Sequence, residues 1–248
     1  MNLITGSAGY IGTHLRKLLP AWESCDLKYG KDYQHISGRE FDVVIHLAAF
    51  VSVLESFENP EKYFRNNALG VGNFLANNHV NRFVFMSTGG AMYGNARAAR
   101  EGQASWYTCD SPYAKSKLAA EYLIAGLHND AVVLRLANVF GGDYTMRGEA
   151  AVHSHFEHDD PIVVYGGDQT RDFVHIDTVC AAIYRAIIAP AGTYNIGSER
   201  ETSIKTIADD YGQSRGVRVE VRPKRTGETD FISLDCSRAK TAGLLEVL

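Results

Sequence analysis

Apolar runs alternate with helical patterns along most of this chain, and that alternation most constrains its fold. "NLIT" leads into "YIGTHLRKLL", "FDVVIHLAA" into "YFRNNALGVGNFLANN", and "RFVFMS" into "SPYAKSKLAAEYLIAGL", before a further apolar run, "AVVLRLANVF". Strands alternating with helices build βαβ units around a parallel sheet. The runs are apolar nearly throughout rather than at every second position, so both faces of that sheet are covered. The expected fold class is α/β, a doubly wound, mostly parallel sheet of the Rossmann type. At 248 residues the chain can bury roughly 70–75% of its unfolded surface, which suits one domain or one domain plus a small lobe.

From about Gly141 the texture changes. "GGDYTMRGEA", "HFEHDDP", "VYGGDQTRD" and "VRPKRTGETD" are polar and rich in turns. The expected division is a main domain over 1–140, with returning segments near 173–198 and 232–240, and a small substrate-binding lobe from 141–172 and 199–231. Bulk properties narrow the partners. The formal net charge is −4 and no long basic run occurs, so nucleic acid is not expected as a partner. No stretch approaches 18 consecutive apolar residues, so no membrane span is expected. The N-terminus lacks a basic region followed by a long apolar one, and Cys25, Cys109, Cys180 and Cys236 are scattered without a C-x-x-C pair. A cytoplasmic protein with reduced thiols is the expectation.

"ITGSAGYIG" places Gly6, Gly9 and Gly12 between the first strand and the first helix. Small residues let backbone approach a pyrophosphate, and the helix N-terminus favours its charge. Tyr10 and Ile11, inside this cofactor-binding segment, read as packing residues. Asp26 lies 20 residues after Gly6, where a carboxylate ending the second strand binds the adenosine ribose hydroxyls. It would repel a 2′-phosphate, so NAD is favoured over NADP. The alternative is a loop carboxylate in "CDLKYG", with Lys28 close by.

In "DSPYAKSKLAAEYL", Ser111 suits an N-cap and Pro112 the first helical position. Tyr113 and Lys117 then share one helix face. A free tyrosine is a poor base at neutral pH, its pKa being about 10. A neighbouring ammonium and an oxidised nicotinamide both favour the phenolate. Glu121, one turn on, reads as a partner of Lys117 or solvent rather than a reactant. His153, His155 and His158 in "HSHFEHDD" read as lobe surface, with no metal expected, and Cys109 as a buried structural thiol.

Together "TGSAGYIGTHL", "DVVIHLAAFVSV", "NPEKYFRNNALG", "RFVFMSTGGAMYG", "SPYAKSKLAAE", "LRLANVFG", "YGGDQTRDFVHIDTV", "YNIGS" and "KRTGETD" resemble the extended short-chain dehydrogenase/reductase family, in its NAD-dependent nucleotide-sugar epimerase/dehydratase branch. The resemblance runs from Leu3 to about Gly243. It implies a pyrophosphate loop at Gly6, Gly9 and Gly12 and a ribose carboxylate at Asp26. It puts Asp32 and Tyr33 against adenine, Leu47, Ala48 and Ala49 along the cofactor, and Asn66 near the nicotinamide ribose. Tyr113 becomes the catalytic base and Lys117 its partner. Asn138, Arg171 and Arg225 hold the diphosphate and base of a nucleotide sugar, a UDP-sugar being the leading substrate. Related proteins form a four-helix dimer interface from the helices that here contain Asn66 and Tyr113. A homodimer is therefore expected, although core packing alone also explains the apolar stripe of "KLAAEYLIAGL".

The implied reaction is of the UDP-glucose 4-epimerase type, through transient oxidation to a keto-sugar and re-reduction. A reductase or dehydrogenase with net hydride transfer, or a low-activity NAD-binding regulatory protein, are the alternatives. Departures from the branch matter. The stretch between Gly12 and "FDVVIH" is short, so the usual second helix and third strand are expected to be reduced or missing. The family's catalytic hydroxyl falls at Gly89, and the acid of dehydratases and decarboxylases at Gly90 or Ala91. Thr88 is the first replacement for that hydroxyl, with Ser87 or a water as the fallback, and Ser87 is also a cofactor and substrate contact. The glycines themselves read as a loop passing close under the nicotinamide, where a side chain would collide.

Overall fold

The computed structural model of the chain describes residues 1–142, 152–224 and 229–246. The chain opens with β1 (Asn2–Thr5), α1 (Tyr10–Leu18), β2 (Glu23–Cys25) and β3 (Glu40–His46). Two single turns of 3₁₀ helix, Leu27–Tyr29 and Tyr33–His35, fill the space between β2 and β3. No crossover helix and outer strand occur there, so β2 is the edge of the sheet. The reduced second βαβ unit expected from the short sequence is what the chain adopts.

Next come α2 (Val53–Glu58), α3 (Pro60–Phe64), a π-helical segment (Arg65–Gly70) and α4 (Val71–Asn77), leading into β4 (His79–Thr88). After β5 (Ala96–Ala99) come α5 (Pro112–Leu127), β6 (Ala131–Leu136) and β7 (Asn138–Phe140). The second half contains α6 (Val152–His158), β8 (Ile162–Tyr165), β9 (Thr170–His175), α7 (Ile176–Ala186) and β10 (Gly192–Ile196). It ends with β11 (Glu201–Ser203), α8 (Ile204–Arg215), β12 (Val219–Arg222), β13 (Ile232–Leu234) and α9 (Ser237–Thr241).

The main sheet has the order β2-β1-β3-β4-β6-β10 and is parallel throughout. Strand order reverses between β1 and β3, and the crevice beyond the carboxyl ends at such a switch point is where open α/β sheets bind ligands. One face packs Ile4, Ile45, Val84 and Leu134 with Leu15 of α1 and Ile183 of α7. The other packs Phe41, Phe83 and Phe85 with Phe74 of α4 and Ile124 of α5. Both faces are buried, which explains the unbroken apolar strands.

β8 and β12 form a separate parallel pair, with α6 and α8 around a small core of Phe156, Ile162, Val164, Ile204 and Ile207. β9 lies between β7 and β11, and β13 pairs with β5. Asp172 on β9 is buried and accepts from Ser198 N at 2.7 Å, Glu199 N at 3.1 Å and Leu234 N at 3.2 Å. It thereby joins the turn after β10 to β13 above the ends of the main strands.

Candidate active site

The glycine loop is shaped by close backbone approach. Gly6 has φ +66, and a Cβ there would lie 2.6 Å from the amide nitrogen of Ala48. A Cβ on Gly12 would lie 2.3 Å from the carbonyl oxygen of Gly6. The loop is therefore pressed against the end of β3, where Leu47, Ala48 and Ala49 lie half-buried. Gly9 is the N-cap of α1 and has no side chain to occupy the first amides, which stay open to an anion. Asp26 follows β2 and accepts from Ala8 N at 2.9 Å and Lys28 N at 2.8 Å, so its carboxylate is fixed beside the loop. Each oxygen keeps acceptor capacity for a ribose hydroxyl. These features fit a dinucleotide. Tyr10 donates to Gly141 O at 2.5 Å and Ile11 packs on the core, so both brace the loop from behind.

Tyr33 and Asn66 both make contacts within the protein. Tyr33 is a core side chain, 4% exposed, whose hydroxyl donates to Asn66 O at 2.6 Å, while Asp32 caps its own 3₁₀ turn. The Tyr33 ring is thus used up in packing against His46 and Phe74. In the π-helical segment, Asn67 rather than Asn66 turns inward. Its amide brackets Phe50, accepting from Phe50 N and donating to Phe50 O, both at 2.9 Å, and donates to Ser116 Oγ of α5 at 3.1 Å. Asn66 accepts from the Gln34 amide at the exposed rim. The helical spacing of the buried Tyr63, Asn67 and Val71 was the available signal for that choice. π-turns recur at functional sites because they re-aim side chains in this way.

The catalytic candidates meet where β4 ends and α5 begins. Ser111 caps α5, accepting from Ala114 N at 3.2 Å, and Pro112 opens it. Tyr113 and Lys117 follow one turn apart. Thr88, the last residue of β4, faces the Tyr113 phenol and favours its ionised form; burial nonetheless pushes that phenol up to about 12. Lys117 is 3% exposed, with its ammonium 4.1 Å from the centre of the Phe85 ring. Burial pulls it down to about 7, and Glu121 opposes that fall.

Adjacent strand residues face opposite ways, and Ser87 follows that rule. Its hydroxyl donates to Glu121 Oε1 at 2.5 Å instead of joining Thr88 at Tyr113. Glu121 is also held by Arg135 Nη2 at 2.6 Å and Nε at 3.0 Å, a fully buried ion pair. Gly89 and Gly90 both donate to Leu136 O. A Cβ on Gly89 would come 2.7 Å from a δ-methyl of Leu234, and one on Gly90 would come 2.9 Å from Asn138 Oδ1. The collision that selects these glycines is therefore with the protein's own returning strand β13 and with β7.

Arg171 on β9 donates to Thr170 O and faces Asp110 and Asp230. Asp110, unnoticed in the sequence, accepts from the Thr229 hydroxyl at 3.1 Å, and its other oxygen is buried without a partner. Burial raises its pKa. A carboxylate just before the N-cap in "CDSPY" was the only clue. Arg225 lies outside the described residues. His153 stacks on Phe140 at 4.4 Å, His155 pairs with Asp159 and His158 bonds Ser154 O, so the three histidines have separate partners. Among the described residues no group could hold a metal ion. Cys109 packs under α5 beside Met92 and Leu118.

Residues 2–197 match the family described as "NAD dependent epimerase/dehydratase". This chain belongs to that family. A Methanocaldococcus jannaschii relative, provisionally named a UDP-glucose 4-epimerase, is 31% identical over 98% of this chain and 92% of its own length. The UDP-glucose 4-epimerase of Thermotoga maritima, solved with UDP-glucose, superposes with a TM-score of 0.85 at 25% identity, covering 97% of this chain and 92% of its own. The UDP-glucose 4-epimerase of Thermus thermophilus, solved with NAD, gives 0.83 at 26% identity, covering 100% and 94%. The family is NAD-dependent.

Proposed function

We propose that this protein is an NAD-dependent nucleotide-sugar 4-epimerase acting on a UDP-sugar. The observation that carries the reading is the meeting of Thr88 with the Tyr113 phenol, with buried Lys117 one helical turn behind it. Gly90 and Ala91 stand where the resemblance puts the acid of a dehydratase, which favours epimerisation over elimination. When bound, NAD supplies a reversible hydride acceptor for the sugar carbon.

Tyr113 as phenolate takes the proton of the sugar hydroxyl and later gives it back. Thr88 donates to the same oxygen and steadies its charge as it develops. Lys117 lowers the cost of the phenolate through its own charge. The keto-sugar turns over in the cleft between the main sheet and segments 141–172 and 199–231, which we assign as the substrate lobe. Arg171 suits the diphosphate, with Asn138 beside the glycine pair and Arg225 assigned there by the family resemblance.

The protein is further assigned as a cytoplasmic homodimer. Its four cysteines are buried and unpaired. Apolar side chains stay exposed along α2, the π-helical segment and α5: Phe57 58%, Leu69 56% and Tyr122 63%. The test is proton NMR of purified protein with UDP-galactose. Conversion to UDP-glucose without net NADH is expected, and Tyr113→Phe should abolish it. Stoichiometric NADH formation instead would select the dehydrogenase alternative.

A further inference from the structure

Lys117 is buried, 3% exposed, and among the described residues it forms no hydrogen bond or ion pair. Its neighbours are few. Phe85 of β4 lies beneath it at 4.1 Å. From β3 it faces the fully buried His46, which burial and Lys117 itself hold neutral, at about 3. On its own helix Tyr113 lies one turn before it and Glu121 one turn after. Glu121 is thus the nearby anion. Its position is fixed from two strands at once, by Ser87 at the end of β4 and by the bidentate Arg135 of β6.

The fixing continues outward. Arg135 Nη1 donates to the Tyr93 hydroxyl at 2.9 Å and to Glu101 O at 2.7 Å, and Tyr93 donates to Asn195 Oδ1 of β10 at 2.6 Å. A buried polar chain therefore runs from β10 across the sheet to the helix that carries the base. Its last charge stands one turn from Lys117, and Ser87 adjoins Thr88 in sequence.

We propose that Glu121, clamped by Arg135 and Ser87, is a positioning residue whose carboxylate keeps Lys117 charged and so keeps Tyr113 available as phenolate. This rests on Tyr113 acting as the base, as in the reading above. The physical reason is the shared proton. With one proton between Tyr113 and Lys117, the pair exists as phenolate plus ammonium or as phenol plus amine. Only the first is productive, and in a site this dry a fixed anion beside the ammonium tips the balance towards it. The groups facing Tyr113 itself are Thr88, Tyr63 and Asp110. The two that carry or acquire negative charge, Tyr63 and Asp110, oppose ionisation, so beyond Thr88 the support has to come from the lysine side.

The test needs no sugar. In the NAD-bound protein the phenolate absorbance near 295 nm is titrated against pH, and the Tyr113→Phe curve is subtracted to isolate Tyr113. Glu121→Gln should lower its ionisation constant about tenfold, one pH unit upward. Glu121→Asp, which keeps the charge but packs no better, should stay within about threefold of wild type. An unchanged titration in Glu121→Gln, or an equal shift in Glu121→Asp, overturns the proposal. Glu121→Gln leaves Arg135 as a lone buried charge, so Glu121→Gln/Arg135→Met is the companion for a protein that fails to fold. There a shift of at least about threefold in the same direction is expected, and none overturns the proposal. A protein that shows the tenfold shift but converts no nucleotide sugar supports this inference while removing the functional reading.

Discussion

Thr88 and Ser87 are neighbours with the same functional group, yet the pleat of β4 gives them opposite tasks. Thr88 reaches the Tyr113 phenol and Ser87 the Glu121 carboxylate. Thr88→Val, nearly equal in size, should therefore slow turnover about ten- to a thousand-fold, as for losing one positioned donor, with little change in Tm. A steady-state assay with a thermal melt alongside separates the two effects. Gly89 makes a second case. Gly89→Ser would supply a hydroxyl where the resemblance places one, but its Cβ meets a Leu234 methyl that is 1% exposed. It should cost about 1–3 kcal/mol in a urea melt through overpacking. Leu234→Ala in the same chain should recover much of that loss, so the two changes should be strongly non-additive.

At the scale of elements, the glycine loop and its helix act as one unit. Gly12 is buried against Gly6 and Ser7 at the start of α1, so Gly12→Ala has to push the loop away from the cofactor. NAD affinity should fall at least about tenfold, measured by fluorescence titration, because the amides of α1 would no longer converge on the pyrophosphate. This unit was legible in the sequence because everything that defines it is local: a strand, three small residues at fixed spacing, then a helix. The missing crossover between β2 and β3 was legible from chain length alone. The choice of Asn67 over Asn66 was not, because its one signal, the helical spacing from Tyr63 to Val71, gains meaning only once those two are known to be buried. Nor was the role of Gly89, whose partner Leu234 lies 145 positions away in sequence on a strand paired with β5. The Ser87–Glu121–Arg135 clamp was equally hidden, since its members lie on three elements and only the folded sheet aligns them.

At the scale of the molecule, the exposed apolar face of α5 and the π-helical segment bears on assembly. Leu69→Asp should convert a dimer to a monomer in light scattering, because a carboxylate in such an interface is left without a partner. Acid stability is a second whole-molecule property. Burial holds His46 near 3 and His153 near 4, both well below the ordinary histidine value. Between those values and about 6.5, the unfolded chain binds protons that the folded one does not, so stability rises with pH in that window and is lost as pH falls. Each histidine contributes up to about 1.4 kcal/mol per pH unit there. Asp110 and Asp172 act the other way, since burial raises both and the folded state then binds protons more readily. Subtracting a variant isolates one group. His153 stacks on Phe140 and meets Phe173 edge-on, and its Nε2 has no partner, so phenylalanine replaces the ring at the cost only of a 3.3 Å contact with the Tyr211 hydroxyl. His153→Phe should therefore lose less stability than wild type in urea melts between pH 6.5 and 4, by about 1–2 kcal/mol for a ring that solvent still partly screens. Parallel stability curves for the two proteins across that window would mean that His153 gains a proton without breaking its aromatic contacts.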